Sequence, residues 1–141
     1  MKIAIVDGQG GKLGRQLVEK ISASVKNAEI LAIGTNSAAS AAMLKGGADA
    51  VATGENALIV ACRKADVIVG PVGIAIADAL MGEITPAMAA AVGSSEAVRV
   101  LLPFNKCDTY IAGVGNISLS EIINDAVAKI ADLSENVDKI R

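Results

Sequence analysis

The chain contains no histidine in its 141 residues. Histidine is the commonest general base in enzymes and a frequent metal ligand, so its absence excludes histidine-dependent nucleophiles and histidine-rich metal sites. Any catalysis would have to use Asp, Glu, Lys or Cys side chains, or a bound cofactor. We therefore predict no metal site, and the enzyme classes that depend on histidine are excluded.

Aromatic residues and basic charge are also scarce. Phe104 and Tyr110 are the two aromatic residues, and the formal net charge is −2 with no basic run. Nucleic-acid-binding proteins use basic surfaces and, for single strands, aromatic side chains on which the bases stack. We therefore expect no nucleic-acid partner. The two cysteines, Cys62 and Cys107, fit a reducing compartment better than a disulfide framework.

Long apolar runs are missing as well. The first apolar run ends at Asp7 after four residues, which argues against a signal peptide. The longest apolar stretch, residues 67–77, contains Gly70 and Pro71 and is shorter than the span of about 20 residues that a membrane helix needs. Hydrophobic residues nevertheless make up 52% of the chain, which is enough for a folded core. We expect a single domain, residues 1–141, in the cytoplasm and with no membrane partner.

Short apolar segments alternate with helical patterns along the chain. The expected strands cover residues 3–6, 29–33, 49–51, 66–69, 98–102 and 109–112. Apolar character throughout a strand indicates burial on both faces and hence a parallel sheet between helices. Right-handed strand–helix units then predict an α/β fold: a doubly wound, mostly parallel, Rossmann-like sheet of five to six strands in three layers, with strand order 3-2-1-4-5.

Helices are predicted by apolar repeats and by capping residues. Apolar residues at every fourth position mark the first helix, and a longer apolar stripe marks the last one. Glycine after a helix, proline in its first turn and a Ser-x-x-Glu capping box mark the helix ends. The residues concerned are Leu13, Leu17, Ile21 and Val25 in the first helix; Gly46 and Gly47 after the second, residues 37–45; Leu58, Ile59 and Cys62 in the third; Ile74, Ile76, Leu80 and Met81 in a helix after the fourth strand; Thr85, Pro86, Met88 and Val92 in the next; and Ser118, Leu119, Glu121, Ile122, Ile123, Ala126, Val127, Ile130 and Leu133 in the last.

The glycine loop, residues 8–14, carries the motif that points most directly to a ligand. It lies between the first apolar strand and the first amphipathic helix, an arrangement that places a nucleotide phosphate at a helix N-terminus. The first glycine turns the chain, the middle ones let the backbone approach an anion, and the last lets the helix pack on the strand. We predict that the ligand-binding residues here are Asp7, Gly8, Gln9, Gly10, Gly11, Lys12, Leu13 and Gly14.

Charged residues flank these glycines. Lys12 and Arg15 stand in the first helical turn, where a cation opposes the helix dipole at a cost of about 0.3–1 kcal/mol. A bound phosphate would turn that cost into an attraction; the alternative is that both side chains point into solvent. Asp7 precedes the glycines and would repel a pyrophosphate. It could coordinate Mg²⁺, accept from a ribose hydroxyl, or bind the backbone amides of the turn, which we favour.

Two further strand ends are predicted to line the ligand crevice. Thr35 and Asn36 follow the second strand, where an NAD-binding domain usually offers a carboxylate to the ribose. They could instead donate to the 2′-phosphate of NADP, or simply cap the next helix. Gly70, Pro71 and Val72 end the fourth strand and either approach the cofactor or form a rigid turn. The cofactor prediction is thus NADP or NAD, and the sequence does not distinguish these from ATP, a coenzyme A derivative or a flavin.

Few residues are candidates for catalysis. Glu55, in the first turn of the third helix, is typical of a dipole partner rather than of a general base. The triplet Asn105-Lys106-Cys107 places a thiol near an ammonium group, which could activate it. Cys62 lies on an apolar helix face and is expected in the core.

Two family resemblances follow from these motifs. The segment Ile5-Val6-Asp7-Gly8-Gln9-Gly10-Gly11-Lys12-Leu13-Gly14-Arg15-Gln16-Leu17 resembles the cofactor loop of dihydrodipicolinate reductases, which implies a nicotinamide-dinucleotide loop. The substrate segment of those enzymes depends on histidines, so their activity is not implied. Over nearly its whole length the chain resembles a family of short bacterial proteins described as a domain of unknown function, which implies no activity. The motifs shared with it are Asp7-Gly8-Gln9-Gly10-Gly11, Gly34-Thr35-Asn36, Thr53-Gly54-Glu55-Asn56, Gly70-Pro71-Val72-Gly73-Ile74, Glu83-Ile84-Thr85-Pro86-Ala87-Met88 and Pro103-Phe104-Asn105-Lys106-Cys107.

The sequence supports three functional hypotheses. The first is a binding or sensing module that holds a dinucleotide or related phosphorylated nucleotide on the glycine loop. The second is a small dimeric NAD(P)-dependent oxidoreductase, whose substrate pocket would lie across a subunit interface. The third is a non-catalytic structural subunit. Residues 67–92 contain only two charges, Asp78 and Glu83, so we expect a homodimer that packs through this apolar segment.

Overall fold

The computed structural model describes residues 1–104 and 109–136. Its five strands form one parallel sheet with the order β3-β2-β1-β4-β5. The predicted α/β class and strand order are confirmed. The strands are β1, Lys2–Asp7; β2, Glu29–Gly34; β3, Ala50–Thr53; β4, Val67–Pro71; and β5, Val98–Leu102.

Five α-helices connect or follow these strands in the described part of the chain. They are α1, Lys12–Ser24; α2, Ser37–Lys45; α3, Glu55–Lys64; α4, Pro86–Ser94; and α5, Leu119–Glu135. The capping predictions hold, because Thr85 Oγ1 accepts from the N–H of Met88 at 3.1 Å and Ser118 Oγ accepts from that of Glu121 at 3.2 Å. Each bond satisfies an N–H group that the helix itself leaves without an acceptor.

The helices cover both faces of the sheet. Residues 3–6 of β1 are all apolar and buried, and alternate residues among them point to opposite faces. Ile3 and Ile5 pack with the buried residues of α1, α2 and α5, whereas Ala4 and Val6 pack with those of α3 and α4. The three predicted layers are therefore present. No helix in the described ranges is long and apolar enough to cross a membrane.

The strand predicted at residues 109–112 is wrong. These residues form no strand, and the chain turns twice just beyond them, at Gly113 (φ 88°) and Gly115 (φ 64°). Tyr110 is 87% exposed, so the segment buries little apolar surface against β5. The β propensity of its residues is therefore not supported by packing.

The helix predicted after the fourth strand is also wrong. The chain forms a single turn of 3₁₀ helix, Val72–Ala75, and then an irregular segment that we call the 76–85 loop. Ile74, Leu80, Met88 and Val92 are buried in the core of one chain, whereas Met81 is 89% exposed. Most of the apolar surface that suggested a dimer is thus covered within the chain, and the homodimer stays a prediction.

Candidate functional site

A pocket of about 210 Å³ opens at the carboxyl ends of the strands. It lies between the ends of β1 and β4, where the strand order reverses, which is the position at which open α/β sheets bind ligands. A larger cavity, of about 690 Å³, lies at the opposite edge beside the end of α3, away from the glycine loop. The smaller pocket is lined by Asp7, Gly8, Gln9, Gly10, Gly11, Lys12, Leu13, Pro71, Leu80 and Phe104.

The glycines of the loop have different roles. Gly11 has a φ of 72°, and a Cβ there would lie 2.7 Å from the Cα of Ala39 in α2. A Cβ at Gly14 would lie 2.6 Å from the sulfur of Met43. These two glycines therefore allow α1 to pack closely on α2. A Cβ at Gly10, in contrast, would have no neighbour within 4 Å, so packing within the chain does not demand glycine there.

Asp7 is 6% exposed and joins the two ends of the loop. Its carboxylate accepts from the N–H of Gly8 at 2.8 Å and from that of Gly14 at 2.7 Å. Of the three interpretations of Asp7, the structure shows the one with backbone amides. Burial raises the pKa of the Asp7 carboxyl above its ordinary value of 3.8, because it disfavours the charged form. The two N–H bonds oppose this rise in pKa, and the charge of Glu83 adds to it.

Several hydrogen-bond donors remain free around the pocket. Among the described residues, no acceptor bonds the backbone N–H of Gly10, Lys12 or Leu13. The Lys12 side chain is exposed and has no ion-pair partner in this part of the chain. Arg15 instead pairs with Glu19 at 3.0 Å on the surface of α1. Of the two cations in the first turn of α1, Lys12 is the one that lines the pocket.

A second cluster of polar groups lies at the ends of β1 and β2, and Glu83 of the 76–85 loop is at its centre. The N–H of Gln9 donates to Oε2 of Glu83 at 3.0 Å and to Oε1 at 3.2 Å. The Thr35 hydroxyl donates to Oε1 at 3.0 Å, and the Asn36 amide donates to the same oxygen. Asn36 also caps α2, since its Oδ1 accepts from the N–H of Ala39 at 2.9 Å. The donors predicted for a 2′-phosphate are thus bonded to a carboxylate of the chain itself.

Glu83 is the residue that the sequence reasoning missed. The motif at residues 83–88 follows none of the predicted strands, yet the 76–85 loop carries its first residue back to the ends of β1 and β2. A signal was available, because Glu83 is one of only two charged residues between positions 67 and 92. An isolated carboxylate in an apolar segment needs donors, and the ends of β1 and β2 supply them.

The remaining predicted residues divide between packing and the pocket. Pro71 lines the pocket, whereas a Cβ at Gly70 would meet the carbonyl of Val6, so this glycine serves the pairing of β4 with β1. Val72 begins the 3₁₀ turn and does not line the pocket. Glu55 is exposed in the first turn of α3 and lies outside the pocket.

Of the two cysteines, Cys62 lies within the described residues and Cys107 does not. Cys62 is buried, and burial raises the pKa of its thiol to about 11, which fits the predicted core position. The triplet Asn105-Lys106-Cys107 lies outside the described residues. Within the described ranges, no group of three or more potential ligand side chains could hold a metal ion.

The strand order and the pocket define a doubly wound α/β protein with a glycine loop at its switch point. The chain belongs to the family described as Domain of unknown function (DUF3842), which matches residues 2–135. The predicted resemblance to a domain of unknown function over nearly the whole chain is thereby confirmed, and it assigns no activity. No curated protein matches the chain.

One solved structure similar to this chain is the dodecameric FMN-dependent Ubix-like decarboxylase from Escherichia coli O157:H7. The two sequences are 15% identical, and the alignment covers 94% of this chain and 92% of the other, with a TM-score of 0.43.

The different roles of the glycines predict different stabilities. Gly11→Ala should lower the free energy of unfolding by about 2 kcal/mol or more, because it combines a left-handed backbone with a clash against α2. Gly10→Ala should change it by less than about 1 kcal/mol. Urea unfolding of both variants measures the difference. Equal losses at the two positions would contradict this assignment.

The raised pKa of Asp7 predicts a pH dependence. The folded state binds the proton of Asp7 more tightly than the unfolded state, so this carboxyl contributes stability at acid pH that is lost as the pH rises through its folded pKa. Asp7→Asn cannot titrate. The free energy of unfolding of the wild type, relative to Asp7→Asn, should therefore fall as the pH rises from about 4 towards neutrality. Urea unfolding at a series of pH values tests this, and a rising difference would mean that the two backbone bonds outweigh burial.

Proposed function

We propose that this chain binds a phosphorylated nucleotide through its glycine loop and acts as a binding or sensing module. The phosphate would bind the free N–H groups of Gly10, Lys12 and Leu13 and the ammonium group of Lys12. The observation that carries this proposal is the pocket at the switch point: within residues 1–104 and 109–136 these donors have no acceptor, while the other N–H groups of the loop are bonded. Backbone N–H groups at a helix N-terminus are suited to phosphate.

The electrostatics of α1 support the proposal. Its first turn contains no acidic residue, and its N-cap, Gly11, has no side chain to accept from the free N–H groups. Lys12 adds a positive charge at the positive end of the helix dipole, which costs about 0.3–1 kcal/mol in the free protein. A phosphate dianion would compensate both charges at once.

The apolar wall of the pocket supports a ligand with a non-phosphate part. This wall consists of Leu13, from the loop itself, and of Pro71, Leu80 and Phe104. Ligand sites usually combine such a wall with a few polar groups that fix orientation. A nucleotide fits this division, with its phosphate on the loop and its base or sugar against the wall.

A binding role fits the pocket better than the alternative of a small NAD(P)-dependent oxidoreductase. The carboxylate of Asp7 is engaged by two backbone groups, and among the described lining residues Lys12 is the one with a free ionisable side chain. If the chain is instead a non-catalytic structural subunit, no ligand should stabilise it. NAD or NADP as the ligand, a cytoplasmic location and a homodimer remain predictions of the sequence.

Ligand-induced stabilisation tests the proposed function. Thermal unfolding is measured with AMP, ATP, NAD⁺, NADH, NADP⁺, NADPH, FMN, FAD and coenzyme A. A ligand at about 100 times its Kd should add roughly 2.7 kcal/mol to the stability. Lys12→Ala should weaken binding by about tenfold or more, since it removes a charge-assisted contact to the phosphate.

Arg15→Ala is the matched control. It removes a cation from the same helical turn, but Arg15 is paired with Glu19 and does not line the pocket. Binding that weakens equally in both variants would indicate a general charge effect and contradict the site. Stabilisation by none of these ligands would contradict the proposed function and favour the structural-subunit alternative.

A further inference from the structure

The Glu83 carboxylate already occupies the donors at the ends of β1 and β2. Its Oε1 accepts from Gln9, Thr35 and Asn36, and its Oε2 accepts from Gln9. In nucleotide-binding sheets of this strand order, the end of β2 faces the ribose that is attached to the pyrophosphate. The position at which that ribose, or a phosphate on its 2′-hydroxyl, would bind is therefore filled by a carboxylate of the chain.

The space above Gly8 is filled as well. A Cβ at Gly8 would lie 2.6 Å from the Thr35 hydroxyl, 3.0 Å from Leu80 and 3.4 Å from Oε2 of Glu83. These three side chains close the crevice on the β2 side of the loop. The open volume lies on the β4 side, and its 210 Å³ is below the range of about 300 to 1,000 Å³ of sites that enclose drug-sized ligands.

The 76–85 loop holds Glu83 through its own hydrogen bonds. The N–H of Asp78 donates to the carbonyl of Ile84 at 2.7 Å, and the N–H of Ile84 donates back to the carbonyl of Ala79 at 3.2 Å. The backbone N–H of Glu83 donates to the carbonyl of Leu80 at 3.1 Å. Leu80 and Ile84 are buried. A loop closed in this way and fixed in the core presents a positioned carboxylate.

We propose that Glu83 determines ligand specificity by occupying an anion subsite at the ends of β1 and β2. The ligand is then a compact phosphorylated molecule of the mononucleotide class that binds in the open pocket, and a 2′-phosphate directed to the end of β2 meets donors that are already bonded to Glu83. This inference rests on the proposed function. No acidic residue directly follows β2, and the carboxylate at its end comes instead from Glu83 of the 76–85 loop.

In the competing interpretation, the Glu83 carboxylate accepts a hydrogen bond from a ribose hydroxyl of the ligand. The carboxylate has about four lone-pair positions, and Oε1 alone already receives three donors. The remaining capacity is on Oε2, which faces Gly8 within a crowded space. Glu83 also does not line the open pocket. The geometry thus favours occupation of the subsite over recognition of a ribose.

The test uses inorganic phosphate as the probe and backbone and side-chain amide signals in NMR as the readout. In the wild type, phosphate should shift the amides of Gly10, Lys12 and Leu13 and leave the side-chain amide of Asn36 unchanged. In Glu83→Ala the Asn36 side chain should become responsive, because its donor is released. Asp78→Asn is the matched control, since it removes a charge from the same loop without touching the cluster.

Each set of amides decides one claim. If phosphate does not shift the amide signals of Gly10, Lys12 and Leu13 in the wild type, the proposed function is contradicted. The Asn36 side-chain signal still decides whether Glu83 occupies an anion subsite. An Asn36 response in the wild type, or none in Glu83→Ala, overturns the inference. If Glu83→Ala does not give a native spectrum, Glu83→Met replaces it, because its side chain has nearly the same length and has no carboxylate to accept from these donors.

Calorimetric titration with AMP and NADP⁺ then tests the ligand class. In the wild type, the two Kd values should agree within about threefold, while in Glu83→Ala NADP⁺ should bind about tenfold or more tightly than in the wild type. AMP affinity should change little. Wild-type protein that binds NADP⁺ or NAD⁺ far more tightly than AMP, and loses this in Glu83→Ala, would assign ribose recognition to Glu83 instead.

Discussion

The hydrogen bonds of the Asp7 carboxylate organise the site. They tie the last residue of β1 to the start of the glycine loop at Gly8 and to the first turn of α1 at Gly14. Because Gly11 offers no capping side chain, Asp7 takes part of the role of an N-cap for α1. The position of α1 against the sheet is thereby fixed, and the N–H groups that Asp7 does not reach are left at the pocket.

Two carboxylates divide the donors of the loop between structure and ligand. Asp7 uses those of Gly8 and Gly14, and Glu83 uses that of Gln9. Among the described residues, the N–H groups of Gly10, Lys12 and Leu13 remain unbonded. Under the proposed function, these residual donors, rather than the glycine motif as such, determine what the loop can bind. A motif of the same spacing without Glu83 would leave both halves of the crevice open.

Much of the fold was predictable because its signals are local. The bounds of α2 and β5, the capping residues of α4 and α5 and the strand order all follow from short sequence patterns with a direct physical cause. The error at residues 109–112 arose where β propensity was not supported by packing. Residues 76–85 are packed on the core, but their backbone takes left-handed conformations, at Leu80 and Met81 for example, which apolar composition does not indicate.

The site was predicted only in part. The loop, Lys12 and Pro71 were assigned to the pocket, and the structure brings them together. For Asp7 the sequence favoured the interpretation with backbone amides, but it did not exclude the other two, because each requires the same residue type. Glu83 was missed because it is brought to Thr35 and Asn36 by tertiary structure, 48 and 47 residues away in the chain. The middle glycines also divided unexpectedly, with Gly11 serving helix packing and Gly10 facing open space.

A crystal structure with AMP bound would test the central claim most directly. We expect the phosphate to bind the N–H groups of Gly10, Lys12 and Leu13 and the base or ribose to lie against the wall that includes Phe104. Glu83 should remain bonded to Asn36. A phosphate bound elsewhere would contradict the assignment of the glycine loop. A ligand that extends to the end of β2 with Glu83 displaced would contradict the division of the crevice by that carboxylate.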